Sequence, residues 1–324
     1  MALSKAIRPD PDPDLFAVGS ALLDEVYTCF MDGRIHEGMP LLIAGLSELR
    51  EQLTEGRWTQ YCEGVCRQHP LMPLLHQDLF TNRAFTKPRG YPGDAVMLDY
   101  VYAADDPGWP NDPSFTAVGR EVNRQLNLHP TVVAVRERKR FMTRIIDEVA
   151  DRAPGAHVFS VAAGHAREAG ATRALAAGRL GRLLTLDHDP VSLQVIQQDL
   201  APLGVETLCA SVVDLVRGPL QVGEFDLIYS MGLYDYLRHG IAERLTRALF
   251  ERLRPGGRLL LANFQPEAEG AGYMEAFMDW WLIHRTADDL LALAENIPAE
   301  RLHSVRTIHD SFHTVITLEL IKAG

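Results

Sequence analysis

Three stretches of the chain combine residue types that chemistry can use. The first is Ala162-Ala163-Gly164-His165-Ala166-Arg167-Glu168. Small residues let a backbone approach a ligand closely, and a helix starting beyond them offers unpaired N–H groups. Gly164 is the only glycine in it, so it is not the G-x-G-x-x-G turn that cradles a dinucleotide pyrophosphate. A nicotinamide-linked oxidoreductase is therefore disfavoured. His165 either touches a ligand here or fills the space of a missing glycine. The second stretch ends in Asp187, with His188 behind it. A carboxylate at that place can accept both hydroxyl hydrogens of a ribose. The competing role is a cap for the segment that begins at Asp189-Pro190. The third group is scattered: Arg89, Tyr91 and Asp94; then Tyr234, Asp235 and Tyr236; then Asp279, Trp280, Trp281, His284 and Arg285. Arg89 or Arg285 can grip a carboxylate in bidentate fashion, or pair with Asp94, Asp235 or Asp279. On a helix, Trp280 and Trp281 cannot share a face, which predicts one in the core and one as a pocket wall. No His–Asp pair marks an obligatory general base.

These residues need elements to hold them. From Leu15 to Phe30, apolar residues recur at spacings of three and four, and Met39–Leu53 and Trp58–Arg67 repeat the pattern. Thr86 to Asp94 holds two prolines and two glycines and must be a loop. A second loop is expected from Asp105 to Pro113. A long helix is expected from Pro130 to Asp151. After Pro154-Gly155 short apolar runs (157–163, 183–186, 205–210, 225–229, 258–263) alternate with helical stretches (167–179, 191–203, 241–253), which predicts a parallel sheet covered on both faces. Leu302–Ile308 and His313–Ile321 have no room for a helix between them and predict a terminal antiparallel hairpin. His309 and His313 flank its turn and are expected at the surface. The predicted organisation is a loose segment at 1–13, a helical lid or substrate domain at 14–150, and an α/β domain at 151–324.

The chain has 324 residues, 47% hydrophobic and 23% charged, an ordinary globular composition. Its formal net charge is −11, from 43 acidic and 32 basic residues, which argues against a nucleic-acid partner. The basic run Arg136, Arg138, Lys139 and Arg140 is interleaved with acids and reads as a solvated helix face. Cys29, Cys62, Cys66 and Cys209 lack the spacing of a zinc site and read as reduced thiols, so no metal is expected. No apolar run is long enough to span a bilayer, and the Asp/Pro-rich start is not a signal peptide, so a cytoplasmic location away from membranes is expected. A homodimer remains open.

The α/β half resembles a class I S-adenosylmethionine (SAM) dependent methyltransferase. The resemblance is carried by Val158–Ala166, by Leu184-Thr185-Leu186-Asp187 and by Ala210-Ser211-Val212-Val213-Asp214. Phe225–Ser230 and Leu253-Arg254-Pro255-Gly256-Gly257 complete it. It implies a Rossmann-like, mostly parallel sheet ending in an antiparallel hairpin, with SAM held by Ala162, Gly164, His165, Glu168, Asp187, His188, Ser211, Val212, Ser230 and Met231. Ser160 stands where the family usually carries Asp or Glu, leaving Glu168 or a backbone carbonyl to meet the methionine amine. A narrower resemblance rests on Lys87–Asp94, Met231–Leu237 and Phe277–Arg285. These segments are similar to a bacterial group labelled for 3-hydroxypalmitate methyl ester biosynthesis, with relatives among natural-product methyltransferases of secondary metabolism. It implies methyl transfer to a small molecule.

Such a transfer is an in-line displacement at a sulfonium carbon, in which alignment of the partners supplies about 7–11 kcal/mol of the barrier reduction. A carboxylate is already ionised at neutral pH and a thiol partly so, so little general-base help is needed. Tyr91, Arg89, Tyr234, Asp235 and Arg285 are the expected catalytic residues, and Tyr236, Asp279, Trp280 and His284 the expected substrate contacts. The alternative is a catalytically idle SAM-binding regulatory protein, motivated by Ser160 and the glycine-poor loop. A nucleic-acid methyltransferase would carry Asn/Asp-Pro-Pro-aromatic where Ser230–Leu233 stands.

Overall fold

The structure is a computed structural model that describes residues 14–105, 113–218 and 220–324. The expected loose segment at 1–13, and most of the loop expected after Asp105, lie outside the described residues. The chain forms two compact units: residues up to Val133 with Glu269–Trp281, and Ala134–Ala268 with Leu282–Gly324. The division does not follow a single cut at residue 150. It falls inside the helix Pro130–Arg152, and an excursion after the fifth strand joins the first unit.

The first unit is helical, with helices Asp14–Met31, Ile35–Gln52 and Glu55–Gly64 followed by shorter ones. Ile35, Met39, Leu42, Ile43, Leu46 and Leu49 make one buried stripe. The second of these helices starts four residues before Met39 and carries Pro40 at its sixth position, where the proline removes one i→i−4 backbone hydrogen bond. Helix Ala271–Phe277 is buried along its whole length. Its Glu275 accepts from Arg50 Nε at 2.7 Å and Trp58 Nε1 at 2.6 Å, so the buried charge is paired. Asp94 caps helix Ala95–Ala103 through Met97 N–H and pairs with Arg83 at 2.8 Å.

The second unit holds a seven-stranded sheet. Its strands are β1 (His157–Val161), β2 (Arg182–Asp187), β3 (Val205–Cys209), β4 (Phe225–Ser230), β5 (Leu253–Phe264), β6 (Leu302–His309) and β7 (Val315–Lys322). The order is β3-β2-β1-β4-β5-β7-β6. β1 to β5 are parallel, while β7 runs antiparallel to both β5 and β6. This is a Rossmann-like, mostly parallel sheet ending in an antiparallel hairpin, and the parallel strands and the hairpin fall as the sequence pattern predicts. The parallel strands are nearly continuous apolar runs because both faces are buried. The order reverses between β1 and β4, where open α/β sheets bind ligands at the strands' carboxyl ends.

Local chemistry adjusts several boundaries. The stretch expected as one helix from Arg167 to Arg179 is two short helices, Arg167–Gly170 and Arg173–Ala176, because Thr172 caps the second. A further helix, Val212–Arg217, follows β3, started by a capping box between Ser211 and Asp214. Cys29, Cys62 and Cys66 are buried free thiols and Cys209 is exposed. Burial pushes the Cys66 thiol up to about 12. His309 and His313 are exposed, as expected. No helix among the described residues is long and apolar enough to cross a membrane.

Candidate active site

The loop after β1 is built on unusual backbone. Ala162, Gly164 and Ala166 take φ of 56°, 56° and 49°, the left-handed region. Alanine there costs about 1–2 kcal/mol, and a larger side chain more. Ala163 N–H donates to Leu186 O at 3.0 Å. Gly164 N–H donates to Asp187 Oδ2 at 2.8 Å, so the carboxylate is laced to the loop.

Asp187 is 4% exposed, and its Oδ1 accepts from Asp189 N–H at 2.9 Å. Each oxygen keeps a second lone pair, the capacity a diol requires. The capping role belongs to Asp189, which accepts from Val191 N–H and from Ser192 Oγ. His188 is exposed, with Nδ1 3.3 Å from Asp187 Oδ1.

The other expected cofactor residues have structural duties as well. Ser211 caps its helix through Val213 N–H at 3.2 Å, and Val212 opens that helix, half-buried. Ser230 is buried and donates to Val161 O at 2.9 Å, tying β4 to β1. Met231 is half-buried at the end of β4, and His165 is buried in the loop. Tyr229 donates to Glu168 Oε1 at 2.8 Å and also meets Ser160. Burial pushes the Glu168 carboxyl above its ordinary range. Ser160 and Glu168 thus meet the same Tyr229 hydroxyl.

The structure corrects most of the expectations on the acceptor side. Tyr234 is wholly buried, its hydroxyl 3.1 Å from Thr246 Oγ1, so it is core. Asp235 is a bracket: Oδ1 accepts from Phe264 N–H at 2.7 Å and its carbonyl from Ile283 N–H at 2.7 Å. Burial raises its pKa to about 6. Arg285 is 3% exposed and donates to Tyr234 O and Asn263 Oδ1, both at 2.6 Å, and to Leu237 O. Its guanidinium clamps a loop through Nη1 and Nη2 and is nearly inaccessible, which makes it a structural brace rather than an open carboxylate grip. Asn263 shares this clamp and was not foreseen. Tyr236 is exposed and His284 half-buried.

In the helical unit, Arg89 and Tyr91 are half-buried in the Pro/Gly loop. Asp279, at φ 47°, accepts from Arg67 Nη2 at 2.8 Å and Trp281 Nε1 at 3.0 Å, and pairs with Lys87. Burial pushes its carboxyl up, but these partners outweigh that and hold it below the usual range. It is an ion-pair hub rather than an open substrate contact. Residues 279–286 form no helix, so the argument that splits Trp280 from Trp281 does not apply. Trp280 is half-buried, Trp281 exposed, and neither is core.

The basic run is not a solvated face. Arg136 and Arg138 are 9% and 8% exposed, while Arg140 is exposed and pairs with Glu137. Val135, Arg138, Met142, Ile145 and Val149 are all buried. Their spacing of three and four was the available signal that Arg138 turns inward.

No family model matches this chain, and no curated protein matches it. Among solved structures it is similar to a possible exported protein from Bordetella parapertussis. That match has a TM-score of 0.60 and 18% identity over 85% of this chain and 99% of the other, a likeness of fold. A TehB-like SAM-dependent methyltransferase from Corynebacterium glutamicum aligns at a TM-score of 0.41 and 19% identity, over 56% of this chain and 86% of that one. N-methyltransferase NodS from Bradyrhizobium japonicum, in complex with S-adenosylhomocysteine, aligns at 0.44 and 13%, over 70% and 100%.

Proposed function

We propose that this protein is a SAM-dependent methyltransferase acting on a small molecule. One observation carries the reading. At the switch point of a sheet ordered β3-β2-β1-β4-β5-β7-β6, a loop of small left-handed residues is hydrogen-bonded to a carboxylate at the end of β2. Bulk beyond Cβ at Ala162 or Gly164 would close that cradle, and Asp187 has lone pairs for two hydroxyls. This donor set fits a nucleoside.

SAM supplies an activated methyl group when bound. Asp187 holds the ribose, and the loop 162–166 lies against the amino-acid end. Ser211 and Val212 flank the base. Glu168, which accepts from the Tyr229 hydroxyl, meets the amine. The chain's part in the reaction is to orient two partners and exclude water, for which no general base is required. The acceptor is a carboxylate, a thiol or another nucleophile that is ionised or readily ionised at neutral pH. The location is the cytoplasm, and the acidic chain takes no nucleic acid.

Calorimetric titration with S-adenosylhomocysteine (SAH) tests this reading, with NADH as control. SAH is expected to bind at one site and NADH not at all. Loss of the Asp187 hydrogen bonds in Asp187→Ala is expected to weaken SAH by about 1.5–3 kcal/mol, some ten- to a hundred-fold. An unchanged titration curve for that variant would remove Asp187 from the site.

A further inference from the structure

Arg138 has a buried guanidinium whose Nη1 has no hydrogen-bond partner. It lines a cavity of about 330 Å³ together with Phe141, Ile308, Val315 and Thr317. The cavity lies wholly within the sheet-bearing unit. Val315 pairs with Phe264 at the carboxyl end of β5, and Gly232, just past β4, would bring a Cβ to 3.8 Å from Arg138 Nη2. Arg138 therefore sits at the edge of the sheet where β4 and β5 end.

A buried N–H left without an acceptor is costly, and a ligand oxygen could relieve that cost. Around it, Asp310 accepts from the N–H groups of Phe312, Thr314 and Val315, and Glu137 pairs with Arg140. Arg144 is exposed at the rim and His309 stands beside Asp310. The Glu168 and Asp235 carboxylates feel the charge of Arg138, but neither accepts from Nη1. With acids already near, the surroundings suit one negative charge better than two. The apolar lining suits an organic body. The volume is near the lower end of small-molecule pockets, which run from about 300 to 1,000 Å³. It admits a ring or short chain.

We propose that this cavity binds a compact monocarboxylate, its carboxylate on Arg138 and its apolar part against Phe141, Ile308 and Val315. Resting on the methyltransferase reading, the inference identifies that ligand as the acceptor, anchored beside β4.

The probes are phenylacetate and its neutral counterpart phenylacetamide, titrated into the full chain by ligand-observed NMR. Phenylacetate is expected to bind at least about ten-fold more tightly than phenylacetamide, the scale of one charge-assisted hydrogen bond. Arg138→Gln is expected to abolish that preference and Arg138→Lys to keep part of it. Melting curves check folding. Equal binding of the two probes, no saturable phenylacetate binding, or an unchanged preference in Arg138→Gln overturns the proposal. Displacement of phenylacetate by an equal concentration of inorganic phosphate also overturns it, since the site would then prefer a dianion. SAH is titrated into the same samples and is expected to bind both proteins alike. If the carboxylate preference holds and SAH does not bind the wild type, the monocarboxylate site stands and the methyl-transfer reading falls.

Discussion

Asp187 and Asp235 stand in like positions, at and just beyond strand ends, yet burial assigns them different work. Both are nearly inaccessible, but Asp187 accepts from two loop amides, whereas Asp235 accepts one backbone N–H through Oδ1 and carries a raised pKa of about 6. The sign follows from the folded state holding a proton on Asp235 more tightly than the unfolded chain does. Its stabilising share is complete below its unfolded value near 4 and is lost as pH rises through about 6, a span worth on the order of 3 kcal/mol. Asn keeps the acceptor for Phe264 N–H and removes the charge. Asp235→Asn is expected to melt above the wild type at pH near 7.5 and level with it near pH 4. Parallel melting curves across that range would dismiss a titrating Asp235. Arg285 makes a second test. Removing its side chain orphans Tyr234 O, Leu237 O and Asn263 Oδ1, at about 1–3 kcal/mol for each buried acceptor left unpaired. Urea unfolding of Arg285→Ala is expected to show at least about 3 kcal/mol of lost stability. Normal stability with a selective loss of turnover would return Arg285 to the substrate. Neither role was legible in the sequence, because residue type and spacing do not say which carbonyls a long side chain will meet.

Elements were far more legible, because periodicity reports which face is buried. The seven strands, the hairpin and the long helices fall where alternation and the three-four spacing put them. The misses have local causes. Thr172 interrupts an apolar run by capping a new turn, and Ser211 with Asp214 starts a helix inside what resembled a simple turn. The excursion after β5 was readable as an insertion but not as a buried helix. Glu275 at its centre is apolar in behaviour only because Arg50 and Trp58 meet it from elsewhere in the chain. The loop after β1 was legible as a run of small residues leading into a helix, but not in conformation. Its alanines occupy left-handed backbone that glycine takes without strain. Ala162 is half-buried, so little packing is lost with its methyl. Ala162→Gly is expected to leave the protein as stable or up to about 1 kcal/mol more stable. Ala162→Val is expected to lower stability by more than that and to weaken SAH. A stable valine variant with full affinity would show that the loop is not the cradle.

Across the whole molecule, two populations of carboxyl groups set the response to pH, and they pull in opposite directions. Glu206 beside Arg182, Glu251 beside Arg301 and Asp289 at the amides of its capping box are all held below their usual range. They stabilise the fold above their unfolded values of about 4 and lose that as pH falls toward the folded ones. Asp78, Glu168 and Asp235 are pushed up, by burial first. Their share is lost as pH rises, through about 6 for Asp235. The surplus of 43 acidic over 32 basic residues adds general repulsion at higher pH. The paired acids are ionised above about pH 5, and Asp235 is still largely protonated below about pH 6. The melting temperature is therefore expected to peak in that window and to fall by pH 8. Added salt should flatten the alkaline side where it screens surface repulsion, and leave the part due to buried groups. Asp235→Asn, in which one of those groups cannot ionise, should move the maximum toward neutrality. Differential scanning calorimetry of the two proteins from about pH 4.5 to 8.5, at low and at high salt, separates these contributions. A wild-type maximum at or above pH 7.5 would mean that Asp235 and the other buried carboxyl groups are ionised without penalty.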